Sequence, residues 1–129
     1  MFLDKLTDIQ QGIVLSLATS LMEADGKIAQ EETALLESLR KQMLPGVSPM
    51  QASLGDLAGI FSTRVTRVVM LLELLGMAHV DAEYHVTEKD FISAIAKSVG
   101  ITESALSDME SWVRRQFSLV REAERLMED

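Results

Sequence analysis

One stretch of this chain constrains its fold more than any other. From Val65 to Val80 a helix would be apolar nearly all round: Val65, Val68, Val69, Met70, Leu71, Leu72, Leu74, Leu75, Met77 and Ala78. Leu, Met and Ala favour helix over strand. A helix that is apolar all the way round has to be covered on every side, so this one is expected at the centre of a bundle. It is not a membrane span. The charge-poor part, Val68 to Val80, falls short of the ~20 apolar residues needed to cross a bilayer, and Glu73 sits in its middle.

The rest of the chain supplies the covering helices. The first is expected from Asp4, as N-cap, to about Ala24, with Leu6, Ile9, Ile13, Leu17 and Leu21 on one stripe and Val14, Leu15 and Ala18 widening it. A second runs from about Gln30 to Met43, with Leu35, Leu36, Leu39 and Met43 inward. Pro45-Gly46 breaks it. Ser48-Pro49 reads as an N-cap and first turn, predicting a short helix to Leu54 and another from Asp56 to Phe61. The central helix starts at Ser62 or Thr63 and ends near His79. The next starts at Thr87, where Asp90 three residues on completes a start resembling a capping box. It faces Phe91, Ile95 and Val99 inward and stops at Gly100. The last starts at Thr102 and continues to about Glu128. Its Leu106, Met109, Val113, Val120, Ala123 and Met127 follow a three–four spacing, with Gln116 in the gap and Trp112, Leu119 and Leu126 broadening the stripe. No strand-like alternation or linker interrupts this pattern. The expectation is one all-α domain, residues 1–129, of six to seven helices.

Composition narrows the function classes. With 20 acids against 12 bases the net charge is −8, which suits neither a phosphate backbone nor any other polyanion, so no nucleic-acid partner is expected. There is no cysteine, hence no disulfide and no thiolate metal site. The apolar start Met1-Phe2-Leu3 is followed by mixed charge with no basic leader, and the expected location is cytoplasmic. No nucleophilic triad, phosphate loop or zinc motif is present, so the chain is not expected to be an enzyme.

What stands out chemically is an acidic turn that occurs twice. The first copy is Glu23-Ala24-Asp25-Gly26-Lys27-Ile28-Ala29-Gln30-Glu31-Glu32, and the second is Val80 to Asp90. In each an apolar helix ends, an Asp follows (Asp25, Asp81), an aliphatic residue closes the turn, and another acid (Glu32, Asp90) opens the next helix. Glu31, Glu83 and Glu88 lie nearby. Two helix-turn-helix halves packed face to face would bring the four carboxylates together, and carboxylates crowded together repel unless a cation sits among them. Oxygen ligands suit Mg²⁺ or Ca²⁺, and His79 or His85 would shift the preference toward Zn²⁺ or Mn²⁺. A plainer reading stands beside this one. An acid in the first helical turn caps backbone N–H groups, and Asp25 and Asp81 can bond within their own turns. The turn is not an EF-hand loop, because the alternating Asp/Asn ligands are absent and Gly26 comes too early. The same carboxylates could instead hold a water-activating ion in a metal-dependent hydrolase. Arg64, Arg67, Arg114, Arg115, Arg121 and Arg125 read as solvated faces paired with acids. The eight Met read as core filler or, alternatively, as a docking groove. Trp112 reads as core or as a dimer anchor.

The segment Met22-Glu23-Ala24-Asp25-Gly26-Lys27-Ile28 followed by Glu32, together with the degenerate second turn, resembles the TerB-like family. That family includes the tellurite-resistance protein TerB and the amino-terminal region of a membrane-anchored J-domain co-chaperone. The resemblance implies a multihelical array built from two degenerate helix-turn-helix repeats. It implies a metal site that maps onto Asp25, Glu32, Asp81 and Asp90. It also implies a stress-response accessory role without enzymatic activity, and a protein partner in a membrane-associated complex. The second turn departs from the pattern, with Ala82 in place of Gly, two added residues and Asp90 in place of Glu. A homodimer is a further expectation.

Overall fold

A computed structural model describes residues 2–24, 30–79 and 86–129, with the side chains of residues 30–32 and 35 outside that description. The described residues are all-helical. A 3-10 turn, Leu3–Lys5, precedes α1 (Asp8–Glu23), α2 (Gln30–Gln42), α3 (Leu54–Ile60), α4 (Arg64–Ala78), α5 (Val86–Ser98) and α6 (Glu103–Leu126).

The central role expected of the 65–80 segment is realised by α4. Every residue from Val69 to Ala78 is buried, Glu73 included. The helix packs against α1, α2, α5, α6 and the 3-10 turn. Its N-terminus is set by Thr63, whose hydroxyl accepts from Thr66 N–H at 3.2 Å while Thr66 Oγ1 accepts from Thr63 N–H at 3.4 Å. Val65, in the first turn, lies outside the covered part and is exposed.

α1 starts at Thr7 rather than Asp4. Leu3 and Leu6 are buried by the separate 3-10 turn, and Leu6 is extended, so no helix can begin before Thr7. Thr7 and Gln10 then form the capping box. Ile13, Val14, Leu15, Ala18 and Leu21 are buried, while Ile9, in the first turn, is exposed.

The predicted Pro49–Leu54 helix does not form. Met50 N–H donates to Gly12 C=O at 3.1 Å, which clamps this connection against α1. A single short helix, α3, follows. Its C-terminal end is held by Arg67, whose Nε donates to Phe61 C=O at 2.6 Å and whose Nη2 donates to Ala58 C=O at 2.9 Å. Arg67 is therefore a half-buried cap for the last carbonyls of α3, not part of a solvated face.

Gly12 is placed where only a glycine fits. A Cβ there would stand 2.5 Å from Ser48 carbonyl oxygen. Glycine-to-alanine inside a helix normally stabilises by about 1 kcal/mol. Here the backbone contact outweighs that gain, because forced overpacking costs about 1–3 kcal/mol. Gly12→Ala is expected to lower stability by about 1 kcal/mol or more, whereas Gly59→Ala, with open space around its Cβ position, should raise it. Urea unfolding of the two variants checks the opposite signs.

α5 starts at Val86, so Thr87 is its second residue and not its N-cap. Gly100 ends α5 with a φ of 75°, as expected of a left-handed stop. α6 starts at Thr102, whose hydroxyl accepts from Ala105 N–H at 3.1 Å. Its first half is core, with Leu106, Met109 and Val113 buried. Its second half is not: Leu119, Val120, Leu126 and Met127 are all exposed.

Candidate functional site

The acidic elbows fall largely beyond the described residues. Asp25, Asp81 and His85 lie outside them. Glu32 is the third residue of α2, and its side chain is outside the description. Asp90 is the fifth residue of α5 and its side chain is exposed. The buried acid of this helix is Glu88, at 2 % exposure. The reason is helical phase. Glu88, Ile92, Ile95 and Val99 share the inward stripe of α5 at four- and three-residue steps, and Asp90 lies off it. Their spacing of two residues places the acids on opposite sides of α5, and the stripe that packs inward is the one carrying Glu88. Among the described residues no group of three or more His, Asp or Glu is arranged to hold a metal ion.

His79 is likewise placed by packing. It follows the last residue of α4, is buried, and sets Nε2 3.6 Å from Glu110 Oε1 on α6. The same oxygen accepts from Arg114 Nη1 at 3.1 Å. His79, Glu110 and Arg114 thus join the end of α4 to α6, a role that the reading of His79 as a candidate metal ligand did not include. The Glu110–Arg114 pair itself follows from their four-residue spacing.

A groove of about 230 Å³ lies where α2, α4 and α6 meet. Leu39 comes from the last turns of α2, Met77 from α4, and Val113, Phe117 and Val120 from α6. Polar groups reach it only through Gln42, Gln116 and Glu73. Glu73 is held at its edge by the amino-terminal segment, with Oε1 accepting from Phe2 N–H at 3.0 Å. The Phe2 ring in turn lies 6.1 Å, centroid to centroid, from that of Trp112. This explains why the lone acid of α4 is tolerated at 6 % exposure: it bonds a backbone donor across the core rather than facing hydrocarbon alone. Trp112 is core-packed, as one of its two expected roles required.

A groove of this kind offers apolar contact with a few directing polar groups, which suits the side chains of another polypeptide. It opens directly onto the uncovered half of α6, where the apolar stripe runs on through Val120 and Met127 with Leu119 and Leu126 beside it. Its spacing marks this stripe as one helix face but does not divide it into a covered and an uncovered half. The signal that distinguishes the two halves is length. α6 has 24 residues, against 13 to 16 for α1, α2, α4 and α5, so its last turns overrun the bundle. Among the described residues no helix is long and apolar enough to cross a membrane.

No family model matches this chain, and no curated protein and no solved structure gives a significant match.

Proposed function

We propose that this chain is a non-catalytic, TerB-like accessory module that docks a protein along the α2/α4/α6 groove and the apolar stripe of α6. The observation that carries this reading is the continuity of the two. An apolar groove runs into four exposed large apolar side chains on one helix face, and contiguous exposed apolar surface of that kind marks interaction sites.

The docking test uses Leu119→Lys with Leu126→Lys. Both side chains are largely exposed, so the variant should keep its helical circular dichroism and its melting temperature to within a few degrees. Proteins retained by the tagged wild type and by the variant would be identified by mass spectrometry, this chain included. The expected result is one specific partner kept by the wild type and lost by the variant. Identical sets would end the docking reading.

The resemblance adds a divalent cation at Asp25, Glu32, Asp81 and Asp90, and this belongs to the same proposal. At about 100 times its dissociation constant, a cation bound only by the folded state adds about 2.7 kcal/mol, or roughly 10 °C in a domain of this size. Melting with and without Mg²⁺, Ca²⁺, Mn²⁺ and Zn²⁺ should show that rise with at least one ion, and Asp25→Asn with Asp81→Asn should abolish it. A flat response to all four ions would leave those acids with capping and turn roles alone.

A further inference from the structure

We infer that the occupant of the α6 face is a second copy of this chain, paired antiparallel through α6. This rests on the reading of that face as a docking surface and names what docks. Leu119, Val120, Ala123, Leu126 and Met127 fall within roughly a third of the helix circumference. The charges bordering that strip are arranged asymmetrically. Arg115 and Glu122 lie on one border, seven residues and two turns apart, and Glu124 lies on the other. When two copies of a helix pair antiparallel, each border meets the same border of its mate. Arg115 then faces Glu122 of the partner subunit, and the two-fold symmetry makes the contact twice. In parallel pairing opposite borders meet, and Glu122 is brought against Glu124 of the partner subunit, a like-charge contact. Over the helical overlap, residues 111–126, the border charges therefore complement a reversed copy and oppose an aligned one, while Asp108 on the same border falls opposite position 129, past the end of the partner's helix. The midpoint between Arg115 and Glu122 falls beside Leu119, which puts that exposed leucine near the symmetry axis. It also sets the partner's stripe along the groove that Val113, Phe117 and Val120 line. A chain of net charge −8 gains little from pairing acidic faces in general, so a locally complementary border is what such a dimer requires.

Sedimentation equilibrium is the test. The wild type should approach twice its 14.3 kDa mass at micromolar to submillimolar concentration, and Leu119→Lys with Leu126→Lys should remain monomeric while folded. Arg115→Glu should weaken association about tenfold, through two lost pairs and two new repulsions. Adding Glu122→Arg in the same chain should return it to near the wild-type value, because the pair is then reversed rather than broken. In a parallel dimer Arg115→Glu would produce no such loss. A wild type monomeric throughout overturns the second copy. The docking face would then be judged by whether the wild type still retains another protein that the lysine variant loses. A dimer unaffected by the lysine pair overturns the α6 interface, and a double reversal that fails to restore association overturns the antiparallel arrangement.

Discussion

Replacing Leu75 by alanine should destabilise the protein by about 3–4 kcal/mol. Leu75 is fully buried on α4, and α4 is the helix that α1, α2, α5 and α6 all pack against. Truncation removes the transfer free energy of the lost carbons and leaves a cavity whose walls belong to several helices. Such walls cannot all close in without disturbing their other contacts, which places the cost toward the upper part of the usual range. The urea midpoint should fall by roughly 2 M with little change in slope. Val65→Ala, on the same helix but 56 % exposed, should change stability by no more than about 0.5 kcal/mol. If the two variants were equally destabilised, α4 would not be the covered centre of the bundle.

Gln11→Leu should cost about 2–3 kcal/mol although it nearly conserves volume. The Gln11 side chain is buried and bonds in two directions. Its Nε2 donates to Leu3 C=O at 2.9 Å, and its Oε1 accepts from Leu44 N–H at 2.8 Å. One amide therefore holds the 3-10 turn, α1 and the end of α2 together. Leucine supplies the bulk but neither bond, so a backbone donor and an acceptor are left without this partner. Hydrogen exchange should reveal where the loss falls: the Leu44 amide should lose protection before the amides of α4 do. An exchange pattern unchanged at Leu44 would show that water replaces the side chain without penalty.

Gln11 and Gln10 show where reading the sequence stops. Both stand in an apolar helical segment, and periodicity gives no reason to single them out. Yet Gln10 closes the α1 capping box and donates to Ile60 C=O at 2.8 Å, while Gln11 is almost wholly buried. Their roles depend on backbone groups distant in sequence, which no local pattern encodes. The same holds for Arg67, whose partners are the last carbonyls of α3. By contrast the starts at Thr63 and Thr102 and the stop at Gly100 were legible, because a cap depends on residues within one turn of it. Thr87 was misleading for the opposite reason: a good capping residue became the second residue of a helix that begins one step earlier. Their two-residue separation puts Glu88 and Asp90 on opposite sides of the helix wherever it begins, and the packing of Ile92, Ile95 and Val99 turns the Glu88 side to the core. Of the proposed cation ligands, the sequence supplied the residue types and their repeated spacing, and Asp25 and Asp81 lie outside the described residues.

By itself the sequence determined that the chain is helical, where most helices lie, and that the 65–80 segment is their centre. These follow from the spacing of apolar side chains along one element, and that spacing is local information. Tertiary structure alone decided that Pro49 does not open a helix, that Gly12 must be glycine, and that the stripe of α6 divides into a buried half and an exposed half. A helix face is apolar whether or not something covers it. Only the positions of its neighbours tell a core from a docking surface.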